Sequence, residues 1–310
     1  MTSPLLLLSA LAGCTDYFLD GKNSSVNTTV VSESFTQAPL PAVDVLFVID
    51  STGSMAEEQA GFGSAAGGFV DVLETLGLDY QIGVISMDLD DGGALLGVPW
   101  ILTPSQESVG ASLAKNLVVG TGSASPSQGL DCAALALSDP LGVNTGFRRS
   151  DASLHVIFVS DGDDESGDVL GDDPVAALGE QLAEAAVQTG RSARASAVVG
   201  DVPDGCSGPG GTALPGASYV ELAEASGGSV ASICAGDFTA VAADVGSVVV
   251  DWQLSYPLQA DPLDDGVTVT VDGARLGSGW VIDHAGPSLV FQVAPAPDAF
   301  IEVTYSLAGV

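Results

Sequence analysis

The stretch VDVLFVIDSTGSMAEEQ, Val43 to Gln59, decides the fold. Apolar residues run almost unbroken into Asp50. Ser51, Thr52, Gly53 and Ser54 follow, and then a helical pattern begins. A continuous apolar run of this length fits a strand buried on both faces of a parallel sheet. A carboxylate and three hydroxyls at the mouth of such a strand suit two chemistries. One is an aspartate that becomes phosphorylated in an enzyme; the other is a metal ion held by small oxygen ligands.

Outward from this stretch, strands and helices alternate. EEQAGFGSAAGGFVDVLETLG reads as a helix weakened by glycines, YQIGVISMD as a strand, and ALLGVPWIL as a shorter one. ESVGASLAKNL and GLDCAALAL are helical, and SLHVIFVSD is a second buried strand that ends in an acid, Asp161. Helix, strand, helix, strand and helix follow as far as Trp252. This alternation predicts an α/β fold with a mostly parallel sheet flanked by helices. Sites in such sheets form at the carboxyl ends of strands, where Asp50 and Asp161 both fall. After Trp252 the pattern becomes short alternating strands, with a hairpin turn in VDGARL. The expected organisation is a leader over 1–13, a polar tether over 14–41, the α/β domain over 42–252, and a small all-β module over 253–310.

The chain has 310 residues, 46% of them hydrophobic, enough for a sizeable core. Forty acidic residues against seven lysines and arginines give a formal net charge of −33. That surface repels nucleic acid and anionic headgroups, so no nucleic-acid partner is expected. No apolar run reaches the ~18 residues of a membrane span.

The N-terminus, MTSPLLLLSALAGCTD, resembles a bacterial lipoprotein signal, with Leu11-Ala12-Gly13-Cys14 in place of the lipobox. The resemblance implies a lipidated Cys14 and a mature chain in the cell envelope. That chain would face the periplasm or the surface from the outer membrane, touching the membrane through its anchor alone. Without lipidation the chain would be secreted. An exported chain meets an oxidising compartment. Cys206 lies in a Gly/Pro-rich loop and Cys234 at the end of a strand-like run, so these two are the expected disulfide. It would contribute roughly 3–4 kcal/mol. Cys132, in an apolar helix pattern, is expected free and buried. Neither Cys nor His spacing suits zinc.

Thr52 and Ser54 stand two and four residues after Asp50, a spacing that lets two hydroxyls and a carboxylate converge on one point. Such hard oxygen donors suit Mg²⁺, Mn²⁺ or Ca²⁺. DVLFVIDSTGSM resembles the opening strand and metal-site motif of a von Willebrand factor type A domain, D-x-[ST]-x-S, and LHVIFVSDGDDES resembles its later central strand. The resemblance implies one divalent cation bound through Asp50, Thr52, Ser54 and Asp161. A hydroxyl from GTGSASPSQG completes the set: Ser125 first, with Thr121, Ser123 and Ser127 as the other candidates. It also implies a protein or surface ligand that adds an Asp or Glu carboxylate to the metal, as in adhesion or envelope assembly. The likeness extends to a bacterial lipoprotein subgroup with FTQ (Phe35–Gln37), NxGFxR (Asn144–Arg149) and two late cysteines.

The remaining acids, the histidines and the first motif itself admit other uses. Asp163, Asp164 and Glu165 could support a second ion or form a solvated loop; Asp88, Asp90 and Asp91 are similar. His155 reads as a core or edge residue, and His284 as a turn residue. DSTGS also resembles the DKTGT loop of Mg²⁺-dependent aspartyl-phosphate enzymes. Phosphoryl transfer needs a cation near the transferred oxygens, however, and the only lysines are Lys22 and an expectedly exposed Lys115. The expectation is therefore a binding protein rather than an enzyme, with a metal-free structural surface protein as the alternative.

Overall fold

The computed structural model describes residues 28–308 except 41, 124–125, 236 and 264–265. In chain order the strands are β1 (Thr28–Thr36), β2 (Ala42–Ile49), β3 (Asp79–Ser86), β4 (Ser153–Val159), β5 (Ala193–Val199), β6 (Cys206–Gly208), β7 (Gly211–Ala213) and β8 (Val230–Ser232). They continue as β9 (Ser255–Pro257), β10 (Thr268–Val271), β11 (Ala274–Leu276), β12 (Trp280–Asp283), β13 (Ser288–Phe291) and β14 (Phe300–Ala308). The helices are α1 (Ala56–Thr75), α2 (Val109–Asn116), α3 (Gly129–Ser138), α4 (Pro174–Thr189), α5 (Ala217–Ser226) and α6 (Phe238–Val248).

The chain forms two units. The larger spans Thr36–Ser255 and Phe291–Ala299. Its sheet runs β3-β2-β4-β5-β8, and every pairing is parallel. The chain goes from β2 to β3 on one side, then crosses back to place β4 on the other. The site-forming crevice of an open α/β sheet lies at such a reversal, above the carboxyl ends of β2 and β4.

The reading of β2 as doubly buried holds. Val43, Val45, Phe47 and Ile49 face α1, α2 and α6, where Phe47 meets Phe62 and Phe69 edge-on at 6.1 and 5.1 Å. Leu46 and Val48 face α3, α4 and α5, where Phe158 stacks on Tyr219 at 5.0 Å. The α1 glycines have a packing use: a Cβ at Gly63 would come within 2.9 Å of the Ala114 carbonyl, so glycine lets α1 and α2 approach. The residues 94–102, expected as a strand, form none. Gly97 turns the chain at φ +91° and Pro99 has no N–H to donate, so only Leu96 and Leu102 bond to β3, the edge strand.

The NxGFxR segment locks the lower end of this sheet. Asn144 donates to the Gly93 and Ala136 carbonyls and accepts from Leu95 N–H at 2.9 Å. Phe147 is buried. Arg149 donates to both oxygens of the buried Asp44 of β2 at 2.7 Å, and to the Val43 and Asp79 carbonyls.

The smaller unit comprises the described residues of 28–35 with Tyr256–Val290 and 300–308. Its sheets run β1-β14-β10-β11 and β12-β13-β9. The β10–β11 turn is the expected hairpin: Asp272 and Gly273 have φ of +49° and +77°, the two positive values a two-residue turn requires. One boundary needs correction. Residues 28–36, read as tether, are strand β1. Val31, Glu33 and Phe35 alternate inward, but Glu33 occupies an apolar slot and hides the period. Its carboxylate accepts from Tyr305 O–H at 2.5 Å and Gln259 N–H at 3.1 Å. Cys14 and the rest of the leader lie outside the described residues.

Candidate metal centre

Parallel pairing sets Ile49 beside Val159, so the residues that follow each strand emerge together. Asp50 N–H donates to the Val159 carbonyl at 2.9 Å, and Ser160 Oγ donates to Asp50 Oδ2 at 2.6 Å. Thr52 N–H donates to Asp50 Oδ1 at 2.8 Å. Both oxygens of this carboxylate are thus held, and Asp50 is only 1% exposed. The chain then tightens into a short helical turn over Gly53–Met55. That turn puts the Thr52 and Ser54 hydroxyls 3.2 Å apart on the accessible side. The Ser54 hydroxyl also acts on Asp161, the residue after Ser160, favouring its carboxylate form. Asp50, Thr52, Ser54 and Asp161 therefore come together as one oxygen cluster.

The third loop is tied to the first by Gln59, in the first turn of α1. Its Nε2 donates to the Asp50 carbonyl at 2.7 Å and to the Gly120 carbonyl at 2.8 Å, and its Oε1 accepts from Gly120 N–H at 3.2 Å. Ser123 N–H adds a bond to the Ser51 carbonyl at 3.2 Å. Thr121 and Ser123 are half-buried in this loop. Ser127 turns inward and donates to Met87 Sδ, away from the cluster. Ser125 lies outside the described residues.

The electrostatics of the cluster are one-sided. Burial pushes the Asp161 carboxyl above its ordinary range; the Ser54 hydroxyl opposes this, and the charge of Asp50 adds to it. Glu58, beside Gln59, is 5% exposed, and among the described residues its Oε2 has no hydrogen-bond partner. Burial raises its carboxyl too, and the charge of Asp161 contributes. Among the described residues no ion pair involves Asp50, Asp161 or Glu58. Two carboxylates and two hydroxyls without a cationic partner fit a hard divalent cation. Among the described residues no group of three or more His, Cys, Asp or Glu side chains is arranged around a metal-sized point, so the set rests on its hydroxyls.

In this loop Glu165 is exposed, whereas Asp163 and Asp164 are internal fasteners. Asp163 accepts from Ser218 N–H, and Asp164 from Leu130 N–H and Tyr219 O–H. Asp131, fully buried on α3, accepts from four consecutive N–H groups, Gly167 to Leu170. Asp88 caps its own turn, and Asp91 accepts from Ser86. His155 is buried against Ser196 at 2.8 Å, and burial lowers its pKa to about 3. His284 pairs with Asp261. Lys115 is exposed. Cys206 is bonded to Cys234, as expected, and Cys132 is free and buried.

Ser160, Gln59 and Glu58 escaped the sequence reading. A signal for the last two was present: the buried stripe of α1 runs Gln59, Phe62, Ala66, Phe69 and Leu73, with Glu58 and Ala65 beside it. Polar residues in a core stripe at helical spacing mark side chains with an internal task.

No protein-family model and no curated protein matches the chain. Among solved structures it is similar to a von Willebrand factor type A protein from Catenulispora acidiphila, at 16% identity over 92% of this chain and 62% of that one, with a TM-score of 0.40. It is also similar to the pilus adhesin SpaC from Lactobacillus rhamnosus GG, at 13% identity over 92% and 42%, with a TM-score of 0.35. Proximal thread matrix protein 1 from the mussel byssus gives 14% identity over 72% and 49%, with a TM-score of 0.39. The chain thus spans less than two thirds of the length of each. The strand order and the crevice above β2 and β4, rather than these likenesses, carry the fold.

Proposed function

We propose that this chain is a von Willebrand factor A-type binding module of the bacterial envelope. In this reading one divalent cation, Mg²⁺, Mn²⁺ or Ca²⁺, is held by Asp50, Thr52, Ser54, Asp161 and a hydroxyl of the third loop. When bound, the ion supplies positive charge for an acidic group of a protein or surface ligand. The observation that carries the reading is the convergence of those four side chains at the sheet's switch point, with no cationic side chain paired to them among the described residues. Each residue has a task. Ser160 and Thr52 N–H fix the Asp50 carboxylate, and the turn at Gly53 aims two hydroxyls outward. Gln59 holds the third loop beside them. With a net charge of −33, long-range attraction to an acidic ligand is absent, so recognition is local and metal-dependent.

Thermal melts test this. A cation at a hundredfold excess over its Kd stabilises the native state by ~2.7 kcal/mol. Mg²⁺ or Mn²⁺ should raise the Tm of the wild type and do much less for Asp50→Ala or Ser54→Ala. Equal shifts in all three would reduce the effect to general screening and sink the reading. A pull-down from envelope extracts, with and without EDTA, then seeks the ligand. Anchoring through Cys14 is proposed on the lipobox alone; intact-mass analysis showing an unmodified Cys14 would remove it. The chain is proposed not to be a phosphatase. Mg²⁺-dependent turnover of a generic phosphate ester, abolished by Asp50→Asn, would restore that activity as the better reading.

A further inference from the structure

One buried charge beside the cluster has no task in the binding reading above. Glu58 stands in the first turn of α1, four residues after Ser54, and is 95% removed from solvent. Its Oε2 has no hydrogen-bond partner, and no Lys, Arg or His pairs with it among the described residues. The helix N-terminus favours a negative charge there but does not balance a buried one.

What encloses Glu58 is specific. The hairpin β6–β7 lies over it, and a Cβ at Gly211 would collide with Glu58 Oε1. Gly211 also has a φ of +124°, so the position suits glycine on both counts. The same hairpin is fastened twice. Cys206 is bonded to Cys234, and Gly210 N–H donates to the Cys234 carbonyl at 3.1 Å. Just past β7, Leu214 N–H donates to the Asp161 carbonyl at 2.9 Å. One disulfide-pinned hairpin therefore shields Glu58 from water and fixes the backbone of Asp161, whose charge acts on Glu58.

We propose that Glu58 is a third carboxylate charge of the metal centre, enclosed by the Cys206–Cys234 hairpin, and that it strengthens binding of a divalent cation. This rests on the metal-dependent reading above. Isolated burial of a carboxylate is unfavourable; a cation within the same cluster compensates it. Among the described residues no three carboxylates surround one metal-sized point, so Glu58 acts on the ion through its charge and not as a ligand. Carboxylates that support a metal in this way typically change its affinity by ~10- to 100-fold when removed.

Mn²⁺ alone, titrated calorimetrically into the full chain, tests the proposal beside thermal melts with and without Mn²⁺. Wild type should bind one Mn²⁺. Glu58→Gln keeps the shape and removes the charge. It should weaken Mn²⁺ by ~10-fold or more without lowering the metal-free Tm, and the Tm gain on adding Mn²⁺ should shrink. Glu58→Met should agree. A folded Glu58→Gln with wild-type Mn²⁺ affinity overturns the role of Glu58 and leaves the metal site standing. A Tm lowered equally with and without Mn²⁺, or failure of both variants to fold, makes Glu58 structural and also overturns it. If wild type itself binds no Mn²⁺, the metal reading falls and takes this inference with it.

Discussion

Gln59→Met isolates the fastening of the site from its ligands. Methionine nearly matches glutamine in length and fills the same slot in the α1 stripe, but it makes none of the three hydrogen bonds, at 2.7, 2.8 and 3.2 Å, to Asp50 and Gly120. Each such bond contributes about 1 kcal/mol net, so the loss is ~3 kcal/mol; leaving a buried carbonyl unsatisfied pushes it higher. At an m-value of ~2 kcal/mol/M in urea, the unfolding midpoint of the metal-free protein should fall by ~1.5 M. The variant should also weaken Mn²⁺ by ~10-fold or more, because the third loop is no longer held against the Asp50 loop. Gln106→Met is the control. Gln106 also donates to one carbonyl and accepts from one N–H, those of Ile101 and Thr103, but in a half-buried turn away from the cluster. It should cost stability and leave Mn²⁺ affinity alone. The measurements are urea unfolding by circular dichroism in EDTA, then calorimetric titration of Mn²⁺. A midpoint shift below ~0.5 M for Gln59→Met, with unchanged Mn²⁺ affinity, would refute the claim that this side chain joins the two loops.

Three further outcomes follow from the fold. Arg149→Met should destabilise by ~3–5 kcal/mol, because the buried Asp44 carboxylate loses its partner; urea unfolding should show Asp44→Asn in the same chain recovering most of the loss. Replacing Cys206 and Cys234 with serine should cost roughly 3–4 kcal/mol, and hydrogen exchange should report faster opening of the Cys206–Ala213 hairpin than of β2 and β4. His155 has a folded pKa of about 3 against an unfolded 6.5, so below pH 6.5 the unfolded state takes a proton that the native state refuses. Stability is therefore lost as pH falls from 6.5 towards 3, by up to ~1.4 kcal/mol per pH unit. Subtracting the pH profile of His155→Gln should isolate that slope, and parallel profiles would contradict it.

The sequence by itself determined the α/β class, because β2 and β4 lack the alternating polar residues that a solvated face would require; Asp44 of β2 pairs with Arg149 and His155 of β4 with Ser196. It also determined the places of Asp50, Thr52, Ser54 and Asp161, since their spacing is local and each lies just past a strand end. The hairpin at Asp272–Gly273 and the Cys206–Cys234 bond were readable for similar reasons of turn chemistry and compartment. Strand β1 was not, because its inward Glu33 is satisfied only by Tyr305 and Gln259, more than two hundred residues away. Only the tertiary structure decided which acids are free to meet a cation. Asp163 and Asp164 look like ligands in the sequence, yet each has an oxygen taken by a backbone N–H of another segment, Ser218 and Leu130. Glu58 and Gln59 look like ordinary first-turn residues, yet the Cys206–Ala213 hairpin and the loop at Gly120 bury them. A sequence shows which donors a segment carries; whether those donors are already satisfied depends on partners that only folding brings into reach.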